Sequence, residues 1–234
     1  FESPDNEREY LLAALKIKQR EKESLVQNDF LSFIKYMWPE FIEGYHHKII
    51  AEKFNKLARG EIKRLIVNMP PRHTKSEFAS NYLPAWMIGK NPQLKIIQTT
   101  HTAELAVRFG RKAKNVIDTQ AYQEVFKTRL QEDSKAAGRW ETAQGADLLI
   151  IDDPHKEQDA LSKDGFDKAY DWYTSGPRQR LQPGGSIVIV MTRWSTKDLT
   201  GQLLKAQGDV KGDHWEVIEF PAILPNGKPV WPEY

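Results

Sequence analysis

The sequence predicts an α/β fold in three layers: a mostly parallel sheet with helices on both faces, preceded by further helices. The first observation is a set of four short runs, each with a continuous β-branched stretch typical of strands buried on both faces: RLIVNM (64–69), LKIIQTT (94–100), DLLIIDD (147–153) and SIVIVMT (186–192). The second is that helical patterns alternate with these runs. Such alternation indicates parallel strands joined by right-handed crossovers.

Three helices are predicted before the first strand. One begins with Ser3 as cap and Pro4 at its first position, the next stops at Pro39, and the third ends at Gly60. We assign residues 1–44 to an N-terminal helical segment and 45–220 to the core. Within the core, helices are predicted over residues 75–89, 102–117 and 165–175, another is opened by a Ser195–Asp198 capping box, and HWEVIEF (214–220) is a fifth strand.

Composition narrows the class of protein. The 234 residues are 40% hydrophobic and 28% charged, with a net charge of +2, which is typical of a globular domain and too balanced to indicate a polyanion partner by itself. The absence of cysteine excludes disulfides and cysteine-based metal sites and fits a reducing compartment. No apolar run reaches membrane-spanning length, so no membrane association is expected.

The loop MPPRHTKSE follows the first strand. A turn that enters a helix directs N–H groups and partial positive charge at an anion. Lys75 and Ser76 match the last two positions of the phosphate-binding pattern G-x-x-x-x-G-K-[ST], in which lysine contacts the phosphates and the hydroxyl ligates Mg²⁺, and Arg72 adds a second donor. Met69 and Thr74 stand where the glycines belong. A phosphate site therefore requires Thr74 to avoid positive φ, which is costly for a β-branched residue; a basic surface turn is the alternative.

Two later strands end in polar residues. LLIIDDP has the Walker B pattern, in which the first acid, Asp152, holds Mg²⁺ and the second, Asp153, polarises the attacking water; the alternative is an Asp-Asp-Pro turn. MTRW places Thr192 at a strand tip, where it either senses the γ-phosphate or merely ends the strand. Ligands of parallel sheets bind at the carboxyl ends of the strands, so the combination predicts a nucleoside-triphosphate site.

These motifs, in this order, resemble the N-terminal ATPase domain of the large terminase subunits of tailed bacteriophages, the motors that pump double-stranded DNA into the procapsid through the portal. The resemblance covers about residues 29–220 and implies a P-loop NTPase of the ASCE type that binds ATP and Mg²⁺. One branch of that family lacks the first glycine and carries an arginine in the loop, but Thr74 departs from it too. In that branch a longer glycine-rich segment separates WETAQ from GADLL, so the resemblance implies that residues are missing between about Gln144 and Gly145.

The resemblance implies a role for each matching residue. Metal ligands would be Ser76 and Asp152. The catalytic set would be Asp153, with Glu157 as its alternative, together with Arg72, Lys75 and Thr192. Nucleotide contacts would come from the loop, Arg72, His73, Thr74, Lys75, Ser76 and Glu77. EGYHHKII occupies the place of the adenine-recognition segment, so His46 or His47 would bond the base edge, unless both are simply buried helix histidines.

Other basic residues are candidates for contacts with partners. An arginine supplied by a neighbouring subunit is expected, and the sequence does not choose among Arg139, Arg178, Arg180 and Arg193. Arg108, Arg111 and Lys112 share one helix face, which either follows a DNA backbone or is only solvated.

The resemblance also implies partners and a location. The partners are double-stranded DNA, the portal protein, the small terminase subunit and other copies of the chain. The chain would be a monomer in solution and form a ring of five at the portal vertex, in the host cytoplasm. We expect residues 221–234, with four prolines, to be a linker toward an absent nuclease domain, so no nuclease activity is expected here. The alternatives are a helicase-like DNA translocase and a non-hydrolysing assembly module that binds portal or DNA.

Overall fold

A parallel five-stranded sheet is the centre of the protein in the computed structural model, which describes residues 4–130, 145–159, 162–209 and 212–232. The strands are β1 (Arg64–Asn68), β2 (Ile96–Thr100), β3 (Ala146–Asp152), β4 (Leu181–Met191) and β5 (Glu216–Glu219). Their order across the sheet is β2-β3-β4-β1-β5, and every neighbouring pair is parallel. The α/β class, the five strands and their parallel arrangement are as predicted.

The helices cover both faces of this sheet. They are α1 (Pro4–Asn28), α2 (Phe30–Met37), α3 (Tyr45–Ala58), a π-helix (Glu77–Tyr82) continued by α4 (Leu83–Lys90), α5 (Ala103–Ile117), α6 (Gln120–Val125), α7 (Lys163–Ser175), a 3₁₀ turn (Pro177–Arg180) and α8 (Leu199–Ala206). Helix α6 was not predicted, because six residues carry too little periodicity. None of the helices in these described ranges is long and apolar enough to cross a membrane.

The core consists of two hydrophobic clusters, one on each face of the sheet. Alternate β1 residues point to opposite sides, so Leu65 and Val67 belong to one cluster and Ile66 to the other. The first cluster includes residues of α1 to α6, and the second includes Tyr173 of α7 and Leu203 of α8. This division explains the unbroken apolar runs, since both faces of each central strand are buried.

The start of α8 corrects one prediction. The capping box assigned the cap to Ser195, whereas Asp198 is the N-cap, and its carboxylate accepts from the N–H of Gly201 at 3.0 Å. Ser195 Oγ accepts from Lys197 N instead, inside the preceding turn. The buried carboxylate also accepts from Trp194 N at 3.0 Å and from Arg193, so Asp198 fixes the whole turn after β4.

The segment after β5 folds back onto the core. Val230 N donates to Ala222 O at 3.0 Å, and Leu224 N donates to Lys228 O at 2.8 Å, which closes a short turn. Val230 and Trp231 are buried at its end. Its role as a linker to a further domain stays a prediction. The expectation of residues missing between Gln144 and Gly145 concerns a point at the edge of residues 131–144, which lie outside the described ranges.

Candidate functional site

The loop after β1 and the acidic end of β3 meet at the carboxyl edge of the sheet. Ser76 Oγ donates to Asp152 Oδ1 at 3.0 Å, although the two residues are 76 positions apart in the sequence. Ser80, one helical turn further on, donates to Asp152 Oδ2 at 2.6 Å. Each oxygen of this carboxylate therefore accepts a hydrogen bond from a serine hydroxyl of the helix that follows the loop.

Burial changes the proton affinity of Asp152. The residue is 1% exposed. Burial and, to a smaller extent, the neighbouring charge of Asp153 raise the pKa of its carboxyl, which is about 6 compared with an ordinary 3.8. Hydrogen bonds from Ser80 and Ser76 and the nearby Lys75 ammonium oppose this increase in pKa. Because a buried carboxylate has little water to stabilise its charge, it is a strong ligand for a cation.

A second contact joins three strand ends around a buried lysine. Lys75 Nζ lies 3.0 Å from Asp153 Oδ2 and donates to Thr192 Oγ1 at 3.1 Å. Asp153 Oδ1 accepts from the N–H of Thr192 at 2.8 Å. Because β4 lies between β1 and β3, Thr192 at its tip reaches both the loop lysine and the acid.

The site contains all three non-glycine residues with positive φ among the described part of the chain: Arg72 (63°), Thr74 (65°) and Asp153 (41°). The condition expected for a phosphate site, that the Thr74 backbone avoid positive φ, is therefore not met, and Thr74 adopts a conformation that glycine would favour. Strained backbone of this kind costs on the order of 1–3 kcal/mol per residue and is typical of functional sites, where surrounding contacts maintain it.

The two histidines of α3 lie behind the loop and are fully buried. His47 Nδ1 accepts from Gly44 N at 2.8 Å, and its Nε2 lies 2.7 Å from Thr74 Oγ1. Both ring nitrogens of His47 are therefore hydrogen-bonded to other residues of the protein. The prediction that His46 or His47 reads an adenine edge remains untested.

The remaining loop residues differ in their surroundings. Arg72 is exposed and makes no hydrogen bond or ion pair with the described residues. His73 Nδ1 donates to Pro71 O at 2.8 Å. Glu77 Oε1 accepts from Lys112 Nζ at 2.7 Å, which connects the π-helix to α5.

The four arginines considered for supply to a neighbouring subunit differ in whether their own chain binds them. Arg178 pairs with Asp213, and Arg193 pairs with Asp198 and Glu219, so both are held within their own chain. Arg180 is exposed, and Arg139 lies outside the described residues.

On α5, Arg108 and Arg111 are exposed, whereas Lys112 forms an ion pair with Glu77. Glu157, the alternative catalytic acid, is exposed four residues after Asp153.

Two residues of the site were missed from the sequence. Ser80 bonds Asp152, and His101 Nδ1 donates to the carbonyl of Asp153 at 2.9 Å. Helical spacing from Ser76 could have indicated Ser80, and the position of His101 directly after β2 could have placed it at the same edge of the sheet.

The donor set fits magnesium. In the described ranges no group of three or more His, Asp or Glu side chains could hold a metal ion. Mg²⁺, however, usually takes one or two protein ligands and completes its shell with phosphate oxygens and water. Asp152 and Ser76, with oxygens 3.0 Å apart, suit that kind of site.

Comparison with models of known protein families gave no match, and comparison with curated proteins gave none either.

Proposed function

We propose that this protein is a Mg²⁺-dependent ATPase, a P-loop NTPase of the ASCE type that serves as the DNA-translocating motor domain of a viral large terminase subunit. The observation that carries the proposal is the meeting of Lys75 and Ser76 with the pair Asp152 and Asp153. Phosphate recognition, metal binding and water activation need these groups at one point. The position of β4 as an additional strand between β1 and β3 supports the ASCE type.

In this proposal the loop binds the phosphates of ATP. The backbone N–H groups after Thr74 and the Lys75 ammonium would hold the β- and γ-phosphates, and the exposed Arg72 guanidinium would add a bidentate donor. Ser76 and Asp152 would hold Mg²⁺, which when bound neutralises charge on the phosphates.

Asp153 would orient the attacking water. The water oxygen would bond to the γ-phosphorus while the bond from that phosphorus to the β–γ bridging oxygen breaks. The bonding electrons would leave with ADP, and one proton of the water would pass to the Asp153 carboxylate. Asp153 Oδ2 accepts from Lys75 in the present structure, so movement of Lys75 to the phosphates would free this oxygen for the attacking water.

Two further features support a DNA-moving role. Thr192 contacts the lysine through its hydroxyl and Asp153 through its N–H, so a change at the phosphates reaches the turn after β4. Arg108 and Arg111 give α5 an exposed cationic face suited to a DNA backbone.

The test is ATP hydrolysis and ATP binding by the wild type and Lys75→Ala, with and without Mg²⁺. We expect Mg²⁺-dependent turnover in the wild type and loss of both binding and turnover in Lys75→Ala. Lys197→Ala is the matched control, because it removes an exposed lysine near the same edge of the sheet. ATP binding that survives intact in Lys75→Ala, or no binding by the wild type, would reject the proposed function.

A further inference from the structure

The conformation of Thr74 requires an explanation. Its φ of 65° lies in the left-handed region, where the branched Cβ of threonine is disfavoured and glycine is favoured. Thr74 immediately precedes Lys75, and its carbonyl accepts from Phe78 N at 2.9 Å to begin the following helix. A change of backbone conformation here would move both the lysine and the helix start.

A directed hydrogen-bond chain holds Thr74. Gly44 N donates to His47 Nδ1 at 2.8 Å, so Nδ1 is an acceptor and the ring proton is on Nε2. Nε2 therefore donates to Thr74 Oγ1 at 2.7 Å, and the threonine hydroxyl donates to His73 O at 2.6 Å. Each donor and acceptor in the chain is used once, which fixes the threonine side chain in one orientation.

The His47 ring is itself held on several sides. It stacks on Phe78 with 5.0 Å between ring centroids. The rings of Phe41 and Trp231 are steeply inclined to it, with their centroids 4.8 and 4.9 Å away. A side chain at Gly44 would meet Trp231 at 2.7 Å, so the N–H that fixes the tautomer comes from a backbone position without room for a Cβ. Burial, with the neighbouring His46 and His73, lowers the pKa of His47 to about 3 and keeps the ring neutral at physiological pH.

We infer that His47 is a positioning residue that holds Thr74 in the left-handed conformation and thereby shapes the phosphate-binding loop for ATP. The inference rests on the proposed function for its ligand. It explains how threonine occupies a glycine position, since a hydrogen bond from α3 supplies the conformational preference that glycine would have had intrinsically. It also predicts that the two residues depend on each other.

The experiment uses four variants of the full chain. His47→Asn retains an acceptor near Nδ1 for Gly44 but loses the donor toward Thr74, whereas His47→Gln places an amide donor near Nε2. Thr74→Gly removes the need for the hydrogen bond, and the fourth variant combines His47→Asn with Thr74→Gly. Affinity for Mg·ATP is measured by calorimetry, and stability without nucleotide is measured by urea unfolding.

We expect His47→Asn to weaken ATP binding about tenfold, as for the loss of one buried hydrogen bond, and His47→Gln to stay within about threefold of the wild type. In the Thr74→Gly background, His47→Asn should cause no further loss of affinity. Wild-type affinity in His47→Asn, or an equal loss in both backgrounds, would overturn the inference.

The two proposals fail in distinguishable ways. If the wild type does not bind ATP, the proposed function is wrong, and the unfolding measurements then decide the inference. The relevant comparison is among the wild type, His47→Asn, Thr74→Gly and the double variant. If His47→Asn lowers the free energy of unfolding only when Thr74 is present, His47 does hold the loop. Additive unfolding free energies would reject it.

Discussion

At the scale of single residues, Asp152 makes the stability of the protein depend on pH. Its folded-state pKa of about 6 lies above the ordinary 3.8, so the folded protein binds more protons than the unfolded chain between these values. The contribution of this carboxyl to the free energy of unfolding therefore decreases as pH rises through that interval and stays low above it.

Replacing Asp152 by Asn removes the buried charge. We expect the free energy of unfolding at pH 7 to rise by on the order of 1–3 kcal/mol, and the difference from the wild type to disappear below about pH 4. Urea unfolding at both pH values measures this, with the exposed Asp171→Asn as control. An equal effect of Asp152→Asn at the two pH values would contradict the explanation.

Also at the residue scale, we expect the charge of Asp153 to be needed for catalysis but not for ATP binding. Asp153→Asn keeps an acceptor for the Thr192 N–H but removes the charge that pairs with Lys75. We expect ATP to bind at least as tightly as in the wild type, because the ammonium is freed for phosphate, while turnover falls at least about 100-fold.

Steady-state hydrolysis and calorimetric binding of ATP check this prediction. Glu157→Gln serves as the control and should retain turnover, since that side chain is exposed. The opposite pattern, an inactive Glu157→Gln and an active Asp153→Asn, would transfer the catalytic role to Glu157.

At the scale of elements, helix α5 presents two kinds of cation. Arg108 and Arg111 are exposed, whereas Lys112 pairs with Glu77 of the π-helix. Replacing both arginines by Gln should weaken binding to double-stranded DNA and reduce the slope of log K against log salt by about 2, since each lost phosphate contact contributes roughly 0.9.

Lys112→Gln is the matched variant on the same helix. It should leave the salt slope unchanged and cost less than about 1 kcal/mol of stability, as for a half-exposed ion pair. Fluorescence anisotropy with a labelled duplex at several salt concentrations measures the slopes. A slope that the double arginine substitution does not change would leave α5 as a solvated surface.

At the scale of the whole molecule, we propose that a neighbouring copy supplies an arginine to the site. Arg178 and Arg193 are bound within their own chain, which leaves Arg180 as the exposed candidate in the described ranges. We expect Lys75→Ala and Arg180→Ala each to lose turnover alone, and an equimolar mixture to regain part of it, because one copy then supplies the arginine to the intact loop of another.

Hydrolysis rates of the mixture, measured at several total concentrations, check this expectation. A double variant with both substitutions, mixed with Lys75→Ala, is the control and should stay inactive. Full turnover by Arg180→Ala alone would exclude this residue from the site.

Much of the architecture could be predicted because it depends on local pattern. The continuous apolar runs located four strands, HWEVIEF (214–220) gave the fifth, and the alternation with helices gave their parallel arrangement. The failures have local causes as well. Helix α6 is short, and the cap of α8 was misassigned because Ser195 and Asp198 both suit a cap, and only the buried surroundings of Asp198 favour it.

The sequence by itself determined the chemistry available: a lysine and a hydroxyl at a helix start, two carboxylates at one strand tip and a threonine at another. Only the tertiary structure decided which of these groups meet. The strand order places β4 between β1 and β3, and the hydroxyl of Ser76 lies 3.0 Å from a carboxylate oxygen of Asp152, 76 positions later in the sequence.

It also decided the fate of Thr74. Local propensity disfavours a left-handed threonine, and the bond that stabilises it comes from His47, 27 residues earlier on another helix. A preference that acts between neighbouring atoms is visible in a sequence. A contact that forms only when distant segments pack together is not.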